Sequence, residues 1–136
     1  MLLNPYLLFN GQCEAAFKFY ADCLGAKIDS MMTFASSPME AKVPPEWRNK
    51  VLHAQLSLGG QFLMGSDPPP GSYEQPKGFS VSLQLKDAAE AERVFNALAK
   101  DGAIKMPFQK TFWSPGFGML VDRFGIPWMV NCDQAS

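Results

Sequence analysis

Residues 111–131 read TFWSPGFGMLVDRFGIPWMVN, a strand, a tight turn and a second strand. Phe117–Val121 is apolar and extended, Asp122-Arg123-Phe124-Gly125 turns the chain, and Ile126–Val130 is apolar again. A turn on D-R-F-G needs a residue that tolerates φ > 0, and Gly125 supplies it. This is also the densest aromatic patch in the chain.

Working backwards from this hairpin, Ile104–Phe108 reads as a strand, preceded by a helix. Asp87 and Glu90 have the spacing of a capping box, Ala91, Val94, Phe95 and Leu98 form an apolar stripe, and Gly102 is placed to close the helix. Before it, Phe79–Leu85 alternates Val81, Leu83 and Leu85 against Ser80, Ser82 and Gln84, as a strand does. The same order occurs earlier. Leu2–Phe9 reads as a strand, Gln12–Leu24 as an amphipathic helix ended by Gly25, and Lys27–Phe34, Val51–Leu58 and Gln61–Gly65 as strands. Glu14-Ala15 recurs as Glu90-Ala91 and Gly25-Ala26 as Gly102-Ala103. Residues 67–77, DPPPGSYEQPK, carry four prolines and read as a linker, and residues 35–48 as a loop. The expectation is an α+β protein of two βαβββ modules, 1–70 and 78–136, forming one domain. A module with one helix covers one sheet face only, so the sheets are expected to curl or pair around a cavity.

Composition narrows the function. With 136 residues and a formal net charge of −1, the chain has no basic footprint for nucleic acid or anionic membrane. No apolar run reaches the ~18 residues of a membrane span, and no charged region precedes an apolar one at the start, so the expected compartment is the cytoplasm. Cys13 and Cys23, on one predicted helix, lie roughly 15 Å apart along its axis, too far for a disulfide. With Cys132 they read as three reduced thiols.

Three segments, PYLLFNGQCEAAFKFY, LHAQLSLGGQFLMGSD and TFW…GFGMLVDRFGIPWMVN, cover nearly the whole chain and carry a family resemblance. The chain resembles the PhnB-like branch of the vicinal-oxygen-chelate (glyoxalase/bleomycin-resistance/dioxygenase) superfamily, a branch often labelled 3-demethylubiquinone-9 3-methyltransferase-like. The resemblance implies two βαβββ modules, each curling its sheet around a cavity, and usually a homodimer. Methyl transfer finds no support in the sequence, which lacks a Gly-rich strand-to-helix turn for a nucleotide. In metal-dependent members of the superfamily each module gives a ligand from its first and last strands. Those positions align here with Pro5, Met64, Ser80 and Met129, none of which suits a divalent metal. No metal and no other cofactor is therefore expected.

Strand parity gives an independent reading of the sheet faces. The helix-facing side is expected to hold Tyr6 and Leu8, Leu52 and Leu56, Val81, Leu83 and Leu85, Trp128 and Val130. The other side then holds Leu7, Phe9, His53, Gln55, Phe62, Met64, Ser80, Ser82 and Met129, a few polar groups in an apolar setting. With Trp47 and Trp113 from the loops as a lid, these are the expected ligand-binding residues. A covered sheet face facing a second subunit is the competing reading. His53 is the only histidine, and no nucleophile or carboxylate is predicted beside it, so no catalytic residue is assigned. Asp67 and Asp122 are expected to cap turns. The reading is a metal-free protein that binds a small apolar or aromatic molecule. The alternatives are a superfamily enzyme (lyase, isomerase or dioxygenase) using a displaced metal or His53 as acid/base, and a non-catalytic interaction module.

Overall fold

The computed structural model describes residues 1–133. The chain runs β1 (Tyr6–Leu8), α1 (Cys13–Leu24), β2 (Lys27–Thr33), β3 (Val51–Leu58), β4 (Gln61–Ser66), β5 (Val81–Leu85), α2 (Ala88–Ala99), β6 (Ala103–Gln109), β7 (Gly116–Val121) and β8 (Pro127–Cys132). Short 3-10 turns occupy Glu40–Lys42 and Pro45–Trp47. The architecture is α+β, with two compact units, residues 1–74 and a second beginning at Gln75. Each unit has one mixed sheet, ordered β1-β4-β3-β2 in the first and β5-β8-β7-β6 in the second. The first and last strands of each unit pair parallel and the remaining pairs are antiparallel. Neither sheet closes, so β1 and β2, and β5 and β6, remain as edges. Each helix packs on one face of its own sheet.

In the first unit Cys13, Ala16, Phe17, Tyr20 and Cys23 form the buried stripe of α1. Phe9 closes this core, its ring edge-on to Phe17 with centroids 6.1 Å apart. The helix has no side-chain cap of its own at Gln12. Asp67, just past β4, takes that part: Cys13 N donates to its Oδ1 at 3.1 Å and Val51 N to its Oδ2 at 3.0 Å. In the second unit Asp87 caps α2 directly, accepting from Glu90 N at 3.0 Å. Only half of the expected capping box forms, because the Glu90 carboxylate pairs with Arg93 instead. Gly102 does not close α2 by a left-handed turn. Asp101 takes φ 61°, and Gly102 is needed because a side chain there would collide with the Val121 carbonyl.

The Asp122–Gly125 turn lies between β7 and β8 as expected, with Gly125 at φ 89°. Asp122 is buried and its carboxylate organises the turn. Phe124 N and Ile126 N donate to Oδ1 at 2.8 and 3.0 Å, and Trp128 Nε1 donates to Oδ2 at 2.9 Å. Asp122 and Asp67 are therefore both structural, as their strand-end positions imply. The first strand is shorter than the run Leu2–Phe9, since only Tyr6, Leu7 and Leu8 stand in register with β4. Replacing Asp122 by alanine leaves those donors without their acceptor, at a cost of about 1–3 kcal/mol for each one buried. Asp122→Ala should lower the urea midpoint by more than Asp122→Asn, which keeps one acceptor oxygen for the turn amides. Equal midpoints for the two variants would contradict this account of the turn.

Candidate functional site

The face of the first sheet turned away from α1 is set by register. Side chains paired across neighbouring strands share a face. Tyr6 lies beside Met64, Met64 beside Gln55, and Gln55 beside Ser30. On the same face Leu8 lies beside Ser66, His53 beside Met32 and Phe62 beside Ser57. Tyr6 and His53 meet, with the phenol oxygen 3.3 Å from Nδ1 and ring centroids 5.8 Å apart. A β-bulge between Ile28 and Ser30 frees Asp29 from the ladder. Its carboxylate accepts from Ser57 Oγ at 3.0 Å and from Gln55 Nε2 at 3.4 Å. The bulge leaves Asp29 and Ser30 together opposite Gln55. The face thus carries two polar pairings among Leu8, Met32, Phe62 and Met64.

Of the residues expected here, His53, Gln55, Phe62 and Met64 occupy this face, and Leu7 and Phe9 do not. Both are core residues against α1, 2% and 0% exposed, while Tyr6 and Leu8 are 46% and 41% exposed. The parity of β1 is inverted relative to the sequence reading. The run is apolar on both parities, so alternation could not choose, and the aromatic pocket of Phe17 and Tyr20 does. Tyr6 and Asp29 were missed. Asp29-Ser30 interrupting an apolar strand was the available signal for a bulge. Trp47 lies over Gly11 at the entry to α1, with the Lys50 ammonium 5.9 Å from its ring centroid. It belongs to that corner and to neither strand row.

In the second unit the corresponding face pairs Ser82 with Met129 and Met129 with Met119, then Gln84 with Asn131 and Asn131 with Phe117. The amides form a chain, Asn131 Nδ2 donating to Gln84 Oε1 at 2.8 Å and Gln84 Nε2 to Ser82 Oγ at 3.1 Å. Asn131 Oδ1 is buried with no hydrogen-bond partner. Ser80 lies just before β5. Trp113 adjoins this face, 54% exposed and edge-on to Phe117 at 5.3 Å. Ser114 fixes that loop, its buried hydroxyl bonded to the carbonyls of Gly116 and Cys132.

No activated thiol adds to these faces. All three cysteines are buried and unbridged. Burial pushes the Cys13 thiol well up, and the Asp67 and Glu14 carboxylates push it further. Burial also raises the Asp67 carboxyl, against the N–H groups of Val51, Cys13 and Gly11 and the charge of Lys50. Among the described residues no three His, Cys, Asp or Glu side chains are grouped to hold a metal ion. Nor do the superfamily's metal positions fit one. Register puts Tyr6, and not Pro5, beside Met64, and Ser82 beside Met129. Two thioethers, a phenol and a hydroxyl are poor donors for a divalent cation.

The model of the 3-demethylubiquinone-9 3-methyltransferase family matches residues 2–131. The chain belongs to this family. Protein YjdN of Escherichia coli K12 is 35% identical over 96% of this chain and 95% of its own length. The crystal structure of protein PA1353 from Pseudomonas aeruginosa is similar at 47% identity, TM-score 0.91, covering 99% of both chains. A putative 3-demethylubiquinone-9 3-methyltransferase, PhnB protein, from Bacillus cereus has 27% identity and TM-score 0.81, covering 97% of this chain and 99% of its own. A glyoxylase/bleomycin resistance protein/dioxygenase domain from Frankia, at 13% identity and TM-score 0.61, shares the fold. The PhnB description belongs to the Bacillus cereus neighbour, and the fold is the one the glyoxylase/bleomycin resistance protein/dioxygenase domain has. The family's name describes an activity, yet neither strand-to-helix turn is Gly-rich: residues 9–12 hold one glycine and residues 86–87 none. No helix among the described residues is long and apolar enough to cross a membrane. Titration of the purified protein with Zn²⁺, Ni²⁺ or Mn²⁺ should reveal no stoichiometric site. Stoichiometric metal that is lost in Met64→Ala or Met129→Ala would refute the donor-set argument.

Proposed function

We propose that this protein binds a small apolar or aromatic molecule on an open sheet face, without a metal, as a cytoplasmic homodimer. The observation that carries the reading is the Tyr6–His53 pair among the half-buried Met64 and Phe62 and the more exposed Leu8 and Met32. Thioethers adapt their shape to a ligand, and a few fixed polar groups orient it. The three buried, unbridged thiols favour a reducing compartment. Edge strands without partners and exposed Phe112 and Trp113 favour a second copy of the chain.

Burying ~100 Å² of apolar ligand surface is worth about 2.5 kcal/mol, against ~1 kcal/mol for one net hydrogen bond. In a fluorescence screen with small aromatic compounds, Phe62→Ala and Met64→Ala should weaken binding more than His53→Gln. Failure of every apolar and aromatic compound to bind would leave the face as a protein contact surface. Sedimentation equilibrium at micromolar concentration should return about twice the 15.0 kDa chain mass. A monomer there removes the dimer from the proposal.

A further inference from the structure

The Tyr6–His53 pair has a chemical direction. A neutral imidazole has one N–H and one lone pair, and the partner of one nitrogen settles which role the other plays. The Tyr6 hydroxyl faces Nδ1 at 3.3 Å. A phenol is a much stronger acid than a neutral imidazole N–H, so the phenol proton is the better one to share. Tyr6 then donates, Nδ1 accepts, and the proton of His53 resides on Nε2. That nitrogen has no hydrogen-bond partner among the described residues and is not a buried atom. The other polar groups nearby are turned to each other, since Asp29 takes both Gln55 Nε2 and Ser57 Oγ.

We infer that Tyr6 positions His53 as an Nε2–H donor, and that the ligand of this face presents a carbonyl or carboxylate oxygen on an apolar or aromatic body. The inference rests on the proposed binding of a small molecule and specifies its chemistry. A ligand that covers Leu8, Met32, Phe62 and Met64 also strips water from Nε2–H. Without an oxygen to replace that water, the donor is left unpaired, which binding strongly disfavours. Selection for the oxygen follows from this penalty more than from the strength of the bond itself. Tyr6 acts here through His53, as a positioning residue.

His53 is the only histidine, so a ¹⁵N-labelled chain gives a single set of imidazole resonances without assignment. With the imidazole neutral the wild type should show a protonated Nε2 and an unprotonated Nδ1, and Tyr6→Phe should gain an Nδ1–H fraction. Tyr6 is half exposed at a sheet edge, so this variant keeps its core. The ligand arm uses acetophenone and ethylbenzene, which differ in the carbonyl oxygen. Acetophenone should shift the Nε2 resonance and bind about tenfold tighter than ethylbenzene. Tyr6→Phe should shrink that preference severalfold. A wild-type Nδ1–H tautomer overturns the inference. Equal binding of the two probes also overturns it while leaving apolar binding intact; binding of neither probe overturns it too, and apolar binding itself fails only when the wider aromatic screen is empty as well.

Discussion

A carboxylate taken out of water is stable only where enough donors replace its hydration, and the first unit is built around one such group. Asp67 is 1% exposed and accepts the backbone N–H groups of Cys13 and Val51. One side chain thereby ties the end of β4 to the start of α1 and the start of β3. The open N–H groups of a helix terminus are the natural partners of an anion, and α1 has no cap of its own to compete. Burial still raises this carboxyl, so the donors offset the desolvation only in part. Asp122 solves the same problem in the second unit by taking two turn amides and the Trp128 indole. In both units a buried acid fixes where a strand ends. That in turn fixes which residues of the neighbouring strands stand on the open face.

This dependence reaches the candidate site through register. Val51, held by Asp67, begins the strand that carries His53, Gln55 and Ser57. Tyr6 reaches His53 because β1 pairs parallel with β4 from Tyr6 opposite Met64 onward. A slip of one residue would exchange Tyr6 for Pro5 or Leu7 and end the phenol–imidazole contact. The bulge in β2 acts locally, setting both Asp29 and Ser30 against Gln55 where regular pairing has room for one residue.

Legibility in the sequence followed from how many physical signals agreed at each position. Val51–Leu58 was readable to the residue, because the alternation and the following Gly59-Gly60 both point one way. The stripe of α2 was readable for the same reason, and so was Gly125, whose turn has only one residue suited to φ > 0. The face of β1 was not, since Pro5–Phe9 is apolar at every position and only Phe17 and Tyr20, from another element, decide it. Asp29 and Asp101 share a different difficulty. A bulge and a left-handed aspartate are choices made by the surrounding structure, which the local sequence permits without requiring. The capping role of Asp67 is similarly non-local, as its donors lie 54 and 16 residues away.

The same constraints bear on what chemistry the scaffold can host. A sheet covered by one helix offers its other face as a grid, and any property of that face is a property of which side chains the register brings together. With carboxylates and imidazoles at the strand positions aligned with the superfamily's ligands, such a grid would suit a metal. Here the grid has thioethers and hydroxyls at those positions, and its only imidazole stands on β3, satisfied on one nitrogen by a phenol. A face that suits a metal and this one can therefore share a scaffold and differ in what they offer: fold membership fixes where the face lies, and the side chains on it fix what it can contact.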